Sequence, residues 1–264
     1  MNKLTRITFK LLFLSLSVLC FQSCSEDAEA LGSEQKLAQS ELKTILDTDE
    51  TAGVVDNALA ELFANGALTG KATNKSNECY SAEYSQTGFV ATFNNCVLNG
   101  TENINGTLTV AYEVGNESTA FTATYTDFYV GSIKISGTRK YTLTSSVNDN
   151  TISFTVTSDM SVEMEDESVV TEKGTKTFSF SFGDSLANST FSIAGNWTIT
   201  ADGNTYSVET KDDLQGSLGC EHLVGGSMVV SKNGLNITVD FGDGECDDDA
   251  TLTYPDGTME EIDL

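Results

Sequence analysis

Basic residues, proline and histidine are scarce in this chain. Against 39 Asp and Glu stand only 14 Lys and Arg, with one histidine, one proline and one tryptophan among 264 residues. The shortage of positive charge excludes nucleic acid as a partner, because affinity for phosphate backbones comes from the opposite sign. The single histidine, His222, has no second imidazole to share a metal with, and no G-x-S-x-G elbow accompanies it. Neither a serine-hydrolase triad nor a His-based zinc site can be assembled from recognisable parts, and His222 reads as a loop residue beside Cys220. No C-x-x-C pair occurs, which argues against a zinc site built from four thiolates. The near absence of proline suits long uninterrupted strand ladders, to which proline cannot donate.

Long hydrophobic runs are also lacking. The stretch from Leu11 to Phe21, about eleven residues, is too short to span a bilayer as a helix, which needs roughly 20. It follows Lys3, Arg6 and Lys10, with no acid nearby, and so reads as a signal peptide over residues 1–23. Phe21-Gln22-Ser23-Cys24 places a small residue before a cysteine and resembles the lipobox of bacterial lipoproteins, with Phe21 standing where that family prefers leucine. Cys20 follows the bulky Leu19 and is the poorer acceptor, so Cys24 is the expected lipidation site. Ser25-Glu26-Asp27-Ala28-Glu29 resembles the acidic export tag of lipoproteins from Bacteroidetes-type bacteria, which carries them to the outer surface. Removing residues 1–23 takes away three basic groups and no acid, leaving eleven against 39 and a net charge of −28. Such a charge disfavours docking on anionic headgroups, so the lipid would hold the protein at the membrane.

With Cys20 removed and Cys24 lipidated, Cys79, Cys96, Cys220 and Cys246 remain, and four cysteines allow three pairings. Cys79 and Cys96 lie evenly about the turn candidate Gln86-Thr87-Gly88, and Cys220 and Cys246 flank Asn233-Gly234. Asn-Gly between alternating apolar runs is a strong hairpin signal, so each pair is expected to staple its own hairpin.

Residues 24–33 are small and acidic and read as a tether. Residues 34–70 read as helical. Glu34 to Leu46 is weakly patterned, whereas Asp49 to Asn65 sets Val54, Val55, Ala58, Leu59, Leu62 and Phe63 at helical spacing before Gly66. Over residues 71–264 the period changes to two, as in Phe121, Ala123, Tyr125 against Thr122, Thr124, Thr126, and in Phe178, Phe180, Phe182. About a dozen strands are expected, with turns such as Val147 to Asn150, Asp202-Gly203-Asn204 and Pro255-Asp256-Gly257. Alternation of this kind predicts an antiparallel meander with one dry face and one Thr/Ser face. Glycines recur where strands open, at Gly106, Gly137, Gly174, Gly195 and Gly225-Gly226, and share parity with inward side chains. They predict a strongly curved sheet, a barrel, half-barrel or sandwich, with the Asp49 to Asn65 helix against its concave side or plugging one end. They also suggest room inside for a ligand.

Candidate chemistry is thin. Asp240 to Asp249 is the densest acidic segment, and Asp243, Glu245, Asp247, Asp248 and Asp249 could offer oxygens to calcium, although the spacing does not match an EF-hand loop and a solvated hairpin loop explains it as well. The inward positions read as aliphatic or aromatic with almost no acids, so no carboxylate pair for glycoside hydrolysis stands out. Arrays such as Thr122, Thr124, Thr126 and Thr251, Thr253 could meet a glycan, but threonine is also the best polar strand former. Asp184-Ser185-Leu186 resembles the D-S/T-aliphatic O-glycosylation site of the same bacterial group.

Ile237-Thr238-Val239-Asp240-Phe241-Gly242-Asp243-Gly244 with Thr253-Tyr254-Pro255-Asp256-Gly257-Thr258 is similar to the ending of uncharacterised cell-surface lipoproteins of Bacteroidetes-type, flavobacterial-like bacteria. The resemblance implies an address, the outer membrane and the cell surface, and no activity. The expectation is therefore a non-catalytic binding or structural lipoprotein without a cofactor, with a glycan, protein or apolar small molecule as partner. A carrier enclosing a lipid or other apolar ligand in its curved sheet is the alternative, and a surface hydrolase stands third.

Overall fold

The computed structural model describes residues 36–48, 59, 62, 75–76, 79–97, 103–113, 120–144, 151–181, 183–184 and 188–264. Residues 37–264 form one compact unit. The helix over residues 39–48, α1, begins later than the expected Glu34 and runs past Leu46. At its start the Glu41 carboxylate accepts a hydrogen bond from the backbone N–H of Ala38 at 2.9 Å, one half of a capping box. Leu42 and Ile45 form its buried face.

Every strand described after α1 joins one sheet. Its strands are β1 (Lys75–Ser76), β2 (Tyr80–Ser85), β3 (Gly88–Cys96), β4 (Ile104–Tyr112), β5 (Ala120–Val130), β6 (Ile133–Thr144) and β7 (Thr151–Glu163). They continue as β8 (Val169–Ser181), β9 (Thr190–Ala201), β10 (Asn204–Ser217), β11 (Leu223–Lys232), β12 (Leu235–Asp243), β13 (Asp249–Thr253) and β14 (Met259–Asp263). Their spatial order is their chain order, every neighbouring pair in the ladders is antiparallel, and no ladder joins β14 to β1 among the described residues. The sheet is an open meander rather than a barrel. Short hairpins suffice for this topology: Asp202-Gly203 and Asn233-Gly234 both have positive φ at the two central residues, the backbone that matches strand twist.

The recurrent glycines mark where neighbouring backbones crowd. Gly106, Gly137, Gly174, Gly195 and Gly226 all have positive φ. At Gly106 the register passes from Asn105↔Tyr129 to Thr107↔Thr126, so one residue faces two on β5, a bulge in which a Cβ on Gly106 would overlap the Asp127 carbonyl oxygen. At Gly174 the added atom would meet the backbone of Trp197. The expected curvature has its devices here, but the expected room does not: the space a side chain would take at these positions is already filled by the adjacent strand.

The inner face is apolar and carries the helices. Leu59 and Leu62, both helical and buried, pack in one cluster with Phe89, Phe93, Leu108, Phe128, Ile135 and Met160 of the first strands, and the Tyr84 hydroxyl donates to the Leu62 carbonyl at 3.0 Å. The remainder of the expected Asp49 to Asn65 helix lies outside the described residues. α1 serves the other half of the sheet, where Lys232 of β11 and Tyr206 of β10 both donate to Glu41. Fully burying a Leu, Ile or Phe side chain contributes about 1.5 to 3 kcal/mol, so the alternation of the strands dominates the stability of the sheet.

Candidate functional site

Of the residues singled out in the sequence, Cys24 lies outside the described residues, together with the signal peptide, the tether, Ser185 and Leu186. The four remaining cysteines pair as expected. Cys79 joins Cys96 with Cα atoms 5.1 Å apart, closing the base of the β2–β3 hairpin, and Cys220 joins Cys246 at 5.5 Å across the base of β11–β12. His222 is half-buried in the turn before β11. Asp243, Glu245, Asp247, Asp248 and Asp249 are exposed. No three metal-ligating side chains converge among the described residues, these five included. Asp240 instead accepts the N–H of Gly242 and Asp247 that of Asp249, local turns of the chain. Burial and the neighbouring Asp247, Asp248, Asp263 and Glu261 push the Asp249 carboxyl above its usual value.

The outer face satisfies its own hydroxyls where β7 meets β8. Thr151 and Ser181, Ser153 and Ser179, Thr155 and Thr177, and Thr157 and Thr175 are cross-strand partners whose hydroxyl oxygens lie 3.2, 2.7, 3.0 and 3.1 Å apart. Such a ladder stabilises the sheet and leaves fewer groups to offer a ligand. Beside it, over β8 to β11, the outer face is hollowed to about 460 Å³ and lined by Lys173, Asn196, Thr198, Ser207, Glu209 and Ser231 among others.

The inner face holds charges that the sequence reading missed. Arg139 of β6, Glu172 and Lys176 of β8 are 1%, 3% and 2% exposed. Counting inward residues on β8 in steps of two from Phe180 gives Phe178, Lys176, Gly174 and Glu172, so the period that identified the strand also carries these two charges inward. Gly174 has no side chain between them, and above it the Lys176 Nζ reaches the Glu172 carboxylate at 2.8 Å. The same ammonium lies 4.4 Å from the ring centroid of Trp197, which pairs with Gly174 on β9, a cation–π contact in a dry setting. Trp197 is 3% exposed, and its indole N–H has no hydrogen-bond acceptor among the described residues.

Burial alone would raise the Glu172 carboxyl. The charge of Lys176, its hydrogen bond, the charge of Arg139 and a hydrogen bond from Ser158 outweigh burial and hold it below its usual value. Glu172 is therefore ionised, and it is the one fully buried carboxylate among the described residues. Two buried cations, Arg139 and Lys176, act on its charge.

From this group toward one end of the sheet the inner face opens. On β6, Tyr141 is 6% exposed and Leu143 44%; on β7, Val156 is 1% exposed, Phe154 half-buried and Ile152 46% exposed. On β8 the step from Lys176 leads to the half-buried Phe178 and Phe180, and Phe191 of β9 pairs with Phe180. The rings of Phe154 and Phe178 stack with centroids 5.3 Å apart, and Phe154 stacks on Phe180 at 6.1 Å. Side chains of this size are seldom left in a contiguous half-exposed group on a folded protein unless something covers them. The arrangement can hold an apolar body against the phenylalanines, with the Glu172–Lys176 pair and Trp197 at its inner end. Comparison with protein-family models, with curated proteins and with solved structures returns no match for this chain.

Proposed function

We propose that the protein is a non-catalytic binding protein of the cell envelope, held at the outer membrane and exposed at its surface by lipid on Cys24, and that it carries an apolar small molecule on the inner face of its curved sheet. The observation that supports the carrier role is the graded exposure of Leu143, Ile152, Phe154, Phe178, Phe180 and Phe191 on four neighbouring strands. Covering half-exposed aromatic rings contributes about 25 cal/mol per Å², which gives a modest apolar ligand useful affinity. The address rests on the sequence alone, on Lys3 to Cys24 and the acidic residues after it.

The polar hollow on the outer face, with Asn196, Thr198, Ser207 and Ser231, favours a second reading, a surface protein that meets a glycan or protein partner there. The self-satisfied hydroxyl ladder next to it weakens that reading.

Native mass spectrometry of the full chain carrying Cys24→Ala, purified from its own host, separates the two. A discrete extra mass that denaturation removes supports the carrier. A bare polypeptide mass overturns it and leaves the outer hollow as the binding surface. The same variant is expected in the soluble fraction, and a membrane-bound variant would overturn the anchor.

A further inference from the structure

We propose that the molecule carried on the inner face is an uncharged, flat aromatic compound, held with the face of its π system against the ring edges of Phe154, Phe178 and Phe180. This deepens the carrier reading and rests on it.

The strand registers place the rings. Leu143 of β6 is the partner of Phe154 on β7, Phe154 of Phe178 on β8, and Phe178 of Ile193 on β9. Two residues further toward the open end, Ile152, Phe180 and Phe191 form a second row across β7, β8 and β9. Side chains stand roughly perpendicular to a sheet, and cross-strand partners have Cβ atoms about 5 Å apart, so each of the three rings is flanked on both sides. Their faces turn to those neighbours: the plane of Phe154 lies 17° from that of Phe178 and 10° from that of Phe180. Phe191 closes the far side at 37° to Phe180 and lies over Gly216 of β10, where it takes the space of a side chain. What the half-buried rings leave to a ligand is their edges.

That geometry selects the ligand class. An aromatic ring is negative on its faces and positive at its edge, so a row of edges is an apolar surface with a positive rim. An alkyl chain meets such a surface through buried area alone. A π face brings the same area and the opposite sign. An anion would suit the edges as well, but a chain with 39 acidic and 14 basic residues repels anions, and an uncharged ring system has little water to lose. The two rows span roughly 7 Å along the strands and about 10 Å from β7 to β9, the footprint of about two or three fused rings.

Titrate the full chain carrying Cys24→Ala by calorimetry with naphthylmethanol and with its fully hydrogenated decalin counterpart. The saturated alcohol has a similar area and is the more hydrophobic, so buried area alone makes it the tighter ligand. Edge-to-face contact reverses that order, and the naphthyl compound is expected to bind at least about threefold more tightly. Phe154→Leu combined with Phe178→Leu keeps an apolar surface and removes two ring edges. This double variant is expected to abolish the preference while leaving the affinity for the decalin compound within about twofold. Equal affinities, or a tighter decalin compound, in the protein with its rings intact would overturn the aromatic assignment and leave the carrier reading standing. Binding of neither would overturn both. A preference that persists in the folded double variant would overturn the assignment of these rings. If circular dichroism shows that the double variant is unfolded, the comparison of the two ligands with the rings in place decides the question alone.

Discussion

Glu41 and Lys232, 191 residues apart in the chain, meet at 2.8 Å between Oε2 and Nζ, and the other carboxylate oxygen of Glu41 accepts the Tyr206 hydroxyl at 2.6 Å. One carboxylate thus caps α1, pairs with a buried lysine of β11 and binds a tyrosine of β10. Burial works to raise its pKa, but the hydrogen bonds from Lys232, Tyr206 and the Ala38 N–H prevail and hold it below the ordinary 4.5.

Glu41→Gln is therefore expected to lower stability at about pH 7 by roughly 1 to 3 kcal/mol, because it removes the charge that the 7%-exposed Lys232 side chain meets at 2.8 Å. The pH dependence follows in sign. A carboxyl whose folded pKa is depressed contributes stability that is present above its unfolded value and lost as the pH falls through the folded one. Urea unfolding from about pH 7 downward should show the gap between the parent and Glu41→Gln closing below 4.5. The parent's acid sensitivity will persist in part in the variant, since Glu172 is depressed in the same direction. A gap that stays constant down to strong acid would mean the ion pair adds nothing to folding.

The two disulfides each close a hairpin, over sequence separations of 17 and 26 residues. Loop-closure entropy assigns about 3 kcal/mol to loops of this size, with the longer slightly ahead. Replacing Cys79 and Cys96 together by alanine, or Cys220 and Cys246 together, should lower unfolding free energy by that amount in each case. Peptide mapping without reduction should recover these two links, and a crossed link would contradict the hairpin registers of β2–β3 and β11–β12.

Much of this fold was legible from periodicity, and the reasons differ by region. The hairpin disulfides could be read because Cys79 and Cys96, like Cys220 and Cys246, sit symmetrically about turn residues, and antiparallel pairing converts such symmetry into contact. The strands could be read because Phe, Val and Ile alternate with Thr and Ser. The buried charges were hidden by the same rule: Arg139, Glu172 and Lys176 break the apolar alternation, and charged residues among inward positions look like outward ones slipped by a place. Gly174 lies between the two on β8, and the Lys176 ammonium reaches past it to the Glu172 carboxylate at 2.8 Å. The glycines were read as room for a ligand, whereas contact with the adjacent backbone is a property of the bulges, which sequence spacing does not express. The cover that Leu59 and Leu62 give the first strands was legible in part: the helical spacing of Asp49 to Asn65 marked an apolar face in need of the sheet, but which strands it meets is set by non-local packing.

Two glycines with similar φ should respond very differently to alanine. Gly203, with φ of 76° in the β9–β10 turn, has nothing within 4 Å of an added Cβ, so Gly203→Ala costs only the left-handed backbone penalty, about 1 kcal/mol. Gly106, with φ of 101°, would drive its Cβ into the Asp127 carbonyl and the Cα of Phe128, both backbone and unable to swing aside. Gly106→Ala should therefore cost about 3 kcal/mol or more, in the range associated with strain at a special backbone position. Thermal unfolding of the two variants side by side checks the order, and equal losses would refute the bulge as the cause.

The charge group beneath the phenylalanines makes a last prediction, one that depends on sign rather than on size. Lys176→Met removes one cation and lays a flexible apolar side chain of similar length on Trp197, with the charge of Arg139 still acting on Glu172. Glu172→Gln removes the carboxylate that Lys176 meets at 2.8 Å and leaves its ammonium buried without that ion pair. Breaking a buried pair so that charge is uncompensated costs about 3 to 5 kcal/mol, whereas exchanging a charge for a well-packed apolar group is often close to neutral. The ligand-free protein should therefore lose far more stability to Glu172→Gln than to Lys176→Met, by roughly 3 kcal/mol in urea midpoints converted at constant slope. The reverse order, with Lys176→Met the more damaging, would mean that Lys176 acts chiefly through packing on Trp197 rather than through its pair with Glu172.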